Sequence, residues 1–398
     1  MKNRLALYGG RPVRSRFLRF HRSTTDKEEE KAVVDVLRSG WLTRGPATER
    51  FENAFSKYVR SRYALALNSC TAALHLALAG TGIKSGEEVI TTPTGFASSA
   101  NVIVHQGAKP VFVDVEEDTL NMDPERIESK INKKTRAILP VDFAGHPCEI
   151  ERINRIARKY GLVTIEDAAH SLGAEFKGKK VGPLMDLTAF SFYATKNITT
   201  GEGGMLTTNN KRLIEKVRPL SLHGISRDAW DRYGLKGYRH WNIEVPGYKY
   251  NMFDLQAALG IEQLKKIDKF WEKRFKCVQV YNKAFGGIPE ISTLSSKRYV
   301  KNAHHLYVII LKTELLKTDR DTILNAIQAE NIGVGVHFRA IHLHPYYKKR
   351  FKFKRGMFPN AEYSSDRVIS LPLYPSLTNS DLRDVISAVK KVIAFFRK

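Results

Sequence analysis

Five short apolar runs, at residues 88–91, 110–113, 137–141, 163–165 and 188–191, recur through the first half of the chain with helix-patterned stretches between them. Strands that are apolar along their whole length must be covered on both faces, which a mostly parallel sheet flanked by helices provides. The pattern therefore predicts an α/β fold. At 398 residues the chain is too long for one small core, and about two to three domains is the length prior. Two fit best: a large domain over 1–260 and a smaller C-terminal α+β domain over 261–398. The change is placed along a helix from Asp254, where Leu255, Ala258, Leu259, Ile261, Leu264, Ile267 and Trp271 make a stripe at helical spacing. Beyond it come a strand at 305–311, a helix from Asp321, a second strand at 334–337 and a terminal helix after Thr378-Asn379-Ser380-Asp381. In the first half, Asp123-Pro124-Glu125-Arg126 combines an N-cap with a first-turn proline, the opening of another helix.

The chemistry centres on Lys196. The run Phe190-Ser191-Phe192-Tyr193-Ala194-Thr195-Lys196 carries a lone amine from a strand towards the turn Thr200-Gly201-Glu202-Gly203-Gly204. A lysine attacks carbonyls only when burial or a neighbouring charge lowers its pKa, and this placement suits a Schiff base. A carboxylate to hold a pyridinium nitrogen protonated is at hand in Asp167, closing the apolar run Leu162-Val163-Thr164-Ile165-Glu166-Asp167 at a strand's carboxyl end, the ligand-binding edge of open α/β sheets. Taken by itself, Asp167 reads equally well as a helix N-cap for Ala168 onward. Asn68-Ser69-Cys70-Thr71-Ala72-Ala73 reads as a turn entering an apolar helix, whose free N–H groups attract phosphate. Thr71 and Ser191 add hydroxyls.

Together these segments, in this order, with Glu166-Asp167-Ala168-Ala169-His170 and Gly201-Glu202-Gly203-Gly204, resemble the DegT-type sugar aminotransferases, from Gly45-Pro46 to Leu371-Pro372-Leu373-Tyr374-Pro375. The resemblance implies a fold-type I enzyme that uses pyridoxal 5'-phosphate (PLP) to aminate nucleotide-linked keto-sugars, the chemistry of cell-surface polysaccharide biosynthesis. It makes Lys196 the Schiff-base lysine and Asp167 the pyridinium partner. Thr71, Ala72 and Ser191 are then at the phosphate, Phe96 stacks on the ring, and His170 packs on its other face or near the ring oxygen. Read without the family, Phe96 is a core aromatic and His170 a satisfied interior histidine.

One segment departs from the common form: where the family usually shows Gly-Tyr-Asn-Tyr-Arg, this chain has Gly247-Tyr248-Lys249-Tyr250-Asn251. In the family the asparagine reaches a neighbouring subunit's phosphate, so Lys249 takes that anion as a point charge and Asn251 a nearby polar role. A subgroup resembling UDP-4-keto-pentose aminotransferases shares the Lys-Tyr-Asn form, and its other segments match Leu222-His223-Gly224 and Val336-His337-Phe338-Arg339-Ala340. The resemblance thus implies a UDP-linked 4-keto-sugar, glutamate and 2-oxoglutarate as the amino donor pair, and a homodimer with shared sites. It places His337 and Arg339 at the sugar or its diphosphate and Thr43 and Arg44 at the substrate entrance.

Formal net charge is +24, which raises nucleic-acid binding as an alternative. Its best support is Tyr346-Tyr347-Lys348-Lys349-Arg350-Phe351-Lys352-Phe353-Lys354-Arg355, cations alternating with aromatics able to stack on bases. No recognised nucleic-acid motif contains that stretch, and a diffuse field also speeds encounter with a nucleotide diphosphate; no nucleic-acid partner is expected. Gly173-Ala174-Glu175-Phe176-Lys177-Gly178-Lys179-Lys180 nearly spells a P-loop but lacks its hydroxyl, so a surface hairpin is expected. Cys70, Cys148 and Cys277 have neither metal spacing nor an even count for disulfides, and Cys70 reads as a small buried residue. His342 and His344 stand without cysteine or carboxylate neighbours in sequence, so no metal site is expected. No segment offers the ~20 apolar residues of a membrane span, and Met1-Lys2-Asn3-Arg4-Leu5-Ala6 starts no secretory signal. Cytoplasm is the expected compartment.

Overall fold

The computed structural model describes residues 4–225 and 242–398, which leaves Met1 to Asn3 of the opening segment outside it. In chain order the strands are β1 (Tyr63–Leu67), β2 (Glu88–Thr91), β3 (Lys109–Phe112), β4 (Thr135–Leu139), β5 (Val163–Asp167), β6 (Glu175–Phe176), β7 (Lys179–Lys180), β8 (Leu187–Ser191), β9 (Gly204–Thr208), β10 (Ile291–Thr293), β11 (Val300–Lys301), β12 (Tyr307–Leu311) and β13 (Val368–Leu371). The five apolar runs become β2, β3, β4, β5 and β8, each within a few residues of its expected bounds.

They form a seven-stranded sheet in the order β1-β9-β8-β5-β4-β2-β3. The four pairings among β8, β5, β4, β2 and β3 are parallel, whereas β9 runs antiparallel to both β1 and β8. Every strand except β9 therefore ends at the same edge, and β9 begins there. Burial is nearly complete along β1, β2, β4, β5, β8 and β9, because the helices Cys70–Gly80, Ser98–His105, Ile150–Tyr160 and Pro46–Val59 pack against the sheet. On one face Phe55 meets Phe51, Phe190 and Phe192 with ring centroids 6.1, 5.1 and 5.5 Å away.

A second, antiparallel sheet of β10, β12 and β13 carries its own core with the helices Arg320–Ala329 and Asn379–Phe396. Leu5 and Leu18, from the start of the chain, are buried in that C-terminal core. Glu330 ties the early segment down, accepting from the backbone N–H of Ala6 at 3.0 Å and of Val13 at 2.9 Å.

Several expectations need correction. The helix anticipated from Asp123 is only a pair of single turns, Pro124–Arg126 and Glu128–Lys130. Asp123 does cap the first, accepting from Glu125 N–H at 3.0 Å, but Ile131 is already extended and β4 follows too soon for more turns. The long helix from Asp254 is two helices, Asp254–Lys265 and Ile267–Phe285, broken at Lys266. Residues 334–337 form no strand: a single bridge joins Gly335 to Ser370, while the neighbouring Gly333 N–H is taken by Leu18 O at 2.7 Å. The helix expected from Asp321 starts one residue earlier, capped by Asp319. The near-P-loop is the expected hairpin, β6 pairing with β7.

Truncating Phe55 to alanine opens a void among three rings that relaxation closes only in part, and Phe55→Ala is expected to cost about 3–5 kcal/mol. A clearly lower denaturant midpoint in equilibrium unfolding checks this.

Candidate active site

The common strand edge collects the chemistry. Asp167, the last residue of β5, is buried and is held from two sides: Ser99 Oγ donates to its Oδ2 at 2.6 Å and the backbone N–H of Ala169 to its Oδ1 at 3.2 Å. It caps no helix; the chain passes through turns at 169–173. Burial pushes its carboxyl above the usual range, opposed by those two bonds and the charge of Lys196.

Beyond β8 the chain dives through Phe192, which is fully buried, and turns so that Lys196 N–H donates to Tyr193 O at 2.9 Å. The Lys196 amine is thereby carried back over the strand edge. Burial lowers its pKa to about 8, and Cys70 and Asp167 counteract only part of that fall. A substantial neutral fraction near pH 7 to 8 is what a carbonyl nucleophile requires.

At the edge of β1 the helix Cys70–Gly80 begins. Ser69 caps it, its Oγ accepting from Ala72 N–H at 3.1 Å, and the first-turn N–H groups of Cys70 and Thr71 have no intrahelical partner. Gly204, where β9 starts, lies hard against this turn: a Cβ there would come within 2.3 Å of the Ser69 carbonyl carbon. Glycine is thus required for the Gly203–Gly204 backbone and the helix start to share the edge.

Asp167, Lys196, Thr71, Ser191, His170, Phe96 and His337 all open onto one cavity of about 470 Å³. His170 is buried with its ring centroid 4.4 Å from that of His305 and near-parallel to Phe338 at 5.9 Å. Burial, followed by the charges of Lys196 and His337, holds its imidazole neutral. Its Nδ1 is buried and has no hydrogen-bond partner among the described residues. Phe96 is 64 % exposed, a rim aromatic rather than a core one. His337 Nδ1 meets Ser370 Oγ at 2.9 Å.

Other expected residues lie off the cavity. Ala72 gives its N–H to Ser69. Thr43 accepts from Asp254 N–H at 3.1 Å, and Arg44 pairs with Glu52 at 2.9 Å, so both pin the entry to the helix Pro46–Val59. Asp254 completes that pin by accepting from the N–H groups of Gly45, Ala47 and Thr48 at 2.8 to 2.9 Å. Arg339 reaches Leu343 O at 3.3 Å. Lys249 Nζ donates to Asn251 Oδ1 at 2.6 Å, on a segment bridged to the outer side of β1, with Asn68 N–H on Tyr250 O at 2.8 Å.

Cavity residues that sequence reasoning passed over include Phe20, His21, Tyr193, Glu202, His305 and Phe338. Phe20 and His21 lie outside any motif, and His305 was legible only as the opening residue of a strand. His342, expected to lack a carboxylate, has one: Glu362 Oε1 meets its Nε2 at 2.9 Å, delivered by the helix Pro359–Ser365. In the basic aromatic stretch, Tyr347 and Phe353 pack on Phe112 at 6.2 and 5.1 Å and Phe351 stacks on Tyr347, so these rings anchor the surface to a core. All three cysteines are free and buried, and no helix of the described residues is long and apolar enough to cross a membrane.

An amine and a buried carboxylate at the carboxyl edge of a mostly parallel sheet, beside an open helix N-terminus, define the site of a fold-type I PLP-dependent aminotransferase. Residues 23–390 match the DegT/DnrJ/EryC1/StrS aminotransferase family, and the chain belongs to it. It is 51 % identical over 96 % of its length to MJ1066 of Methanocaldococcus jannaschii, covering 99 % of that protein. With the spore coat polysaccharide biosynthesis protein SpsC of Bacillus subtilis identity is 46 %, covering 96 % of this chain and 98 % of SpsC. The sugar aminotransferase Spr1654 of Streptococcus pneumoniae, described as putative, superposes in its PMP form with a TM-score of 0.89 at 33 % identity, over 95 % of this chain and 99 % of that one. Its PLP form gives 0.89 at 32 %. PLP is accordingly the cofactor of this enzyme. The residues fit it: an amine for its aldehyde, a carboxylate for its ring nitrogen, a glycine-cleared helix start for its phosphate, and an unpartnered His170 nitrogen in the wall.

Because burial lowers the Lys196 pKa, its labelling by an amine-acylating reagent in cofactor-stripped protein is expected to rise through about pH 8, well below the ordinary lysine range. Peptide mass analysis across a pH series reads that midpoint.

Proposed function

We propose that this enzyme transfers an amino group from glutamate to a UDP-linked 4-keto-sugar. The observation that carries the reading is the convergence of Lys196, Asp167 and the start of the helix Cys70–Gly80 on one cavity. The UDP and 4-keto choices are supported by the Lys249-Tyr250-Asn251 form, by Leu222-His223-Gly224 and by the segment from Val336 to Ala340. The function of SpsC in polysaccharide biosynthesis supports a sugar product destined for a polymer.

PLP, when bound, supplies an electron sink for the carbanion formed at the amino acid's α-carbon and, afterwards, at the sugar. Asp167, locked by Ser99 and Ala169, holds a proton on the ring nitrogen. Thr71 and Ser191, with the N–H groups at the helix start, bind the phosphate, and Ala72 supports that turn through its bond to Ser69. Phe96 and His170 take the two faces of the ring or its oxygen. Lys196 would anchor the cofactor at rest; once free, its neutral amine would serve as the base that moves a proton between the α-carbon of glutamate and the carbon of the cofactor's aldehyde, and would move it the opposite way for the sugar. Two half-reactions through one site make the kinetics ping-pong.

His337 and Arg339 serve the sugar or its diphosphate, and Thr43 and Arg44 shape the entrance. Lys249 and Asn251, on a flank of the sheet edge, complete the phosphate site of a neighbouring subunit in a homodimer. The same proposal includes a two-domain division at 260, action in the cytoplasm, and 2-oxoglutarate as co-product. The break between the helices at Lys266, and a following helix that runs from the sheet's core into the second core, support a division close to that point.

Incubation with glutamate and a panel of UDP- and dTDP-linked 3- and 4-keto-sugars tests the substrate: amine formation by mass is expected with the UDP 4-keto compounds, and turnover confined to dTDP or 3-keto compounds overturns that choice. Borohydride reduction of the yellow protein is expected to leave the cofactor on the peptide bearing Lys196. Lys196→Ala is expected to lower turnover by at least ~10²–10⁴-fold. Gel filtration at twice the 45.2 kDa chain mass is expected for the homodimer.

A further inference from the structure

Between Pro345 and Gly356 the chain carries Lys348, Lys349, Arg350, Lys352, Lys354 and Arg355 and no acid, and all six are exposed. The first three close the helix Pro345–Phe351, where the negative end of the helix dipole favours cations. That explains only those three: Lys352 takes the left-handed turn after the helix and Lys354 lies beyond it. Arg355 is held by Asp366 at 2.7 Å. No carboxylate among the described residues pairs with the other five.

Tertiary packing adds further positive charge. Arg350 and Lys352 share a cleft of about 550 Å³ with Lys109, which opens β3, and Lys134, just before β4. Its one acid, Glu88, is already engaged by Lys109 Nζ at 3.1 Å and Asn132 Nδ2 at 2.7 Å. The nearby Glu362 is turned inward, accepting from Gly356 N–H at 2.8 Å and meeting His342 at 2.9 Å. The patch therefore lacks internal neutralisation, and a partner rich in phosphate supplies it.

The rings decide between two such partners. Single-stranded nucleic acid needs exposed aromatic faces for its bases, but Tyr347 and Phe353 pack on Phe112, and Phe351 stacks on Tyr347. What points outward is Tyr346, 52 % exposed and on the helix face of Lys349 and Arg350, and Met357, 50 % exposed. Cations around two projecting apolar side chains suit a bilayer, whose headgroups take the charge while the interface takes the apolar tips.

We propose that this face is a docking surface for an anionic lipid bilayer, which the enzyme binds peripherally through Lys348, Lys349, Arg350 and Lys352 with Tyr346 and Met357 at the headgroup layer. Lys109 and Lys134 stand at the amino edge of the parallel strands, whereas the Lys196 cavity opens at the carboxyl edge. A molecule docked by this face keeps its active site turned to the solution that brings the substrate. The inference is independent of which sugar or amino donor the enzyme uses.

Co-sedimentation of holoenzyme with vesicles tests it. At 0.1 M salt, binding is expected to phosphatidylcholine vesicles containing about 30 mol % phosphatidylglycerol and not to phosphatidylcholine alone, with release as salt is raised. The variant K348Q/K349Q/R350Q/K352Q is expected to partition more weakly by roughly 10²- to 10³-fold, with unchanged turnover. A control of equal charge change on the exposed face of the helix Ile267–Phe285, K269Q/K273Q/K276Q/K283Q, is expected to bind within about fivefold of the wild type. Y346A/M357A, which keeps every charge, is expected to bind more weakly than the wild type. Failure to bind the anionic vesicles overturns the proposal, as does an equal loss in the two charge variants, which reduces the effect to overall charge. Retention on single-stranded DNA that depends on Lys348 to Lys352, without vesicle binding, overturns it in favour of a nucleic-acid partner.

Discussion

A parallel strand cannot turn directly back on its neighbour; it must leave the sheet at its carboxyl end and return by a helix. Everything at this site follows from that restriction. Since β1, β2, β4, β5 and β8 point one way, the residues at or just beyond their ends, Ser69, Phe96, Val141, Asp167 and Ser191, emerge along one edge. The reversed strand β9 completes the arrangement by starting where the others stop. It brings Gly203 and Gly204 to the edge from the opposite direction, and only a residue without a side chain tolerates the 2.3 Å approach to Ser69.

The second core closes the cavity from above and decides its electrostatics. His305, Leu371 and Leu373 come from that side, and Phe20 and His21 arrive on the N-terminal segment that crosses to it. The imidazoles are kept uncharged by burial: His21 and His337 both fall to about 4. Arg274 keeps its charge beside the wall, its Nη1 donating to the carbonyls of His305 and Leu373 rather than to a carboxylate. A wall of neutral rings next to a partly neutral lysine favours proton movement at Lys196 over the lowest-energy burial of its charge.

Lys196, Asp167, Thr71, Ser191 and His170 were legible because each stands within a few residues of a strand end, where local pattern and position in the fold coincide. Thr43, Arg44 and Arg339 were less so: the resemblance implies the substrate entrance for the first two and the sugar or its diphosphate for the third, but Arg44 finds Glu52 and Arg339 finds Leu343 O, partners that no spacing rule supplies. Local capping signals had similar limits. Asp123 caps as its neighbours promise, yet the turn ends within a few residues because β4 must begin.

The sequence by itself determined the elements whose stability is local: apolar strands, capped helix starts, and the glycines that let backbones meet. It also carried the ordered motifs from which the lysine and its carboxylate partner could be read. Only the tertiary structure decided which distant groups share a cavity, that Asn197 holds the tautomer of His305 across 108 residues, that Glu362 serves His342, and that Leu5 and Leu18 help build the C-terminal core. The physical reason is that hydrogen-bond geometry and desolvation depend on positions in space. Periodicity along a chain specifies which face a residue takes, and not what it will meet there.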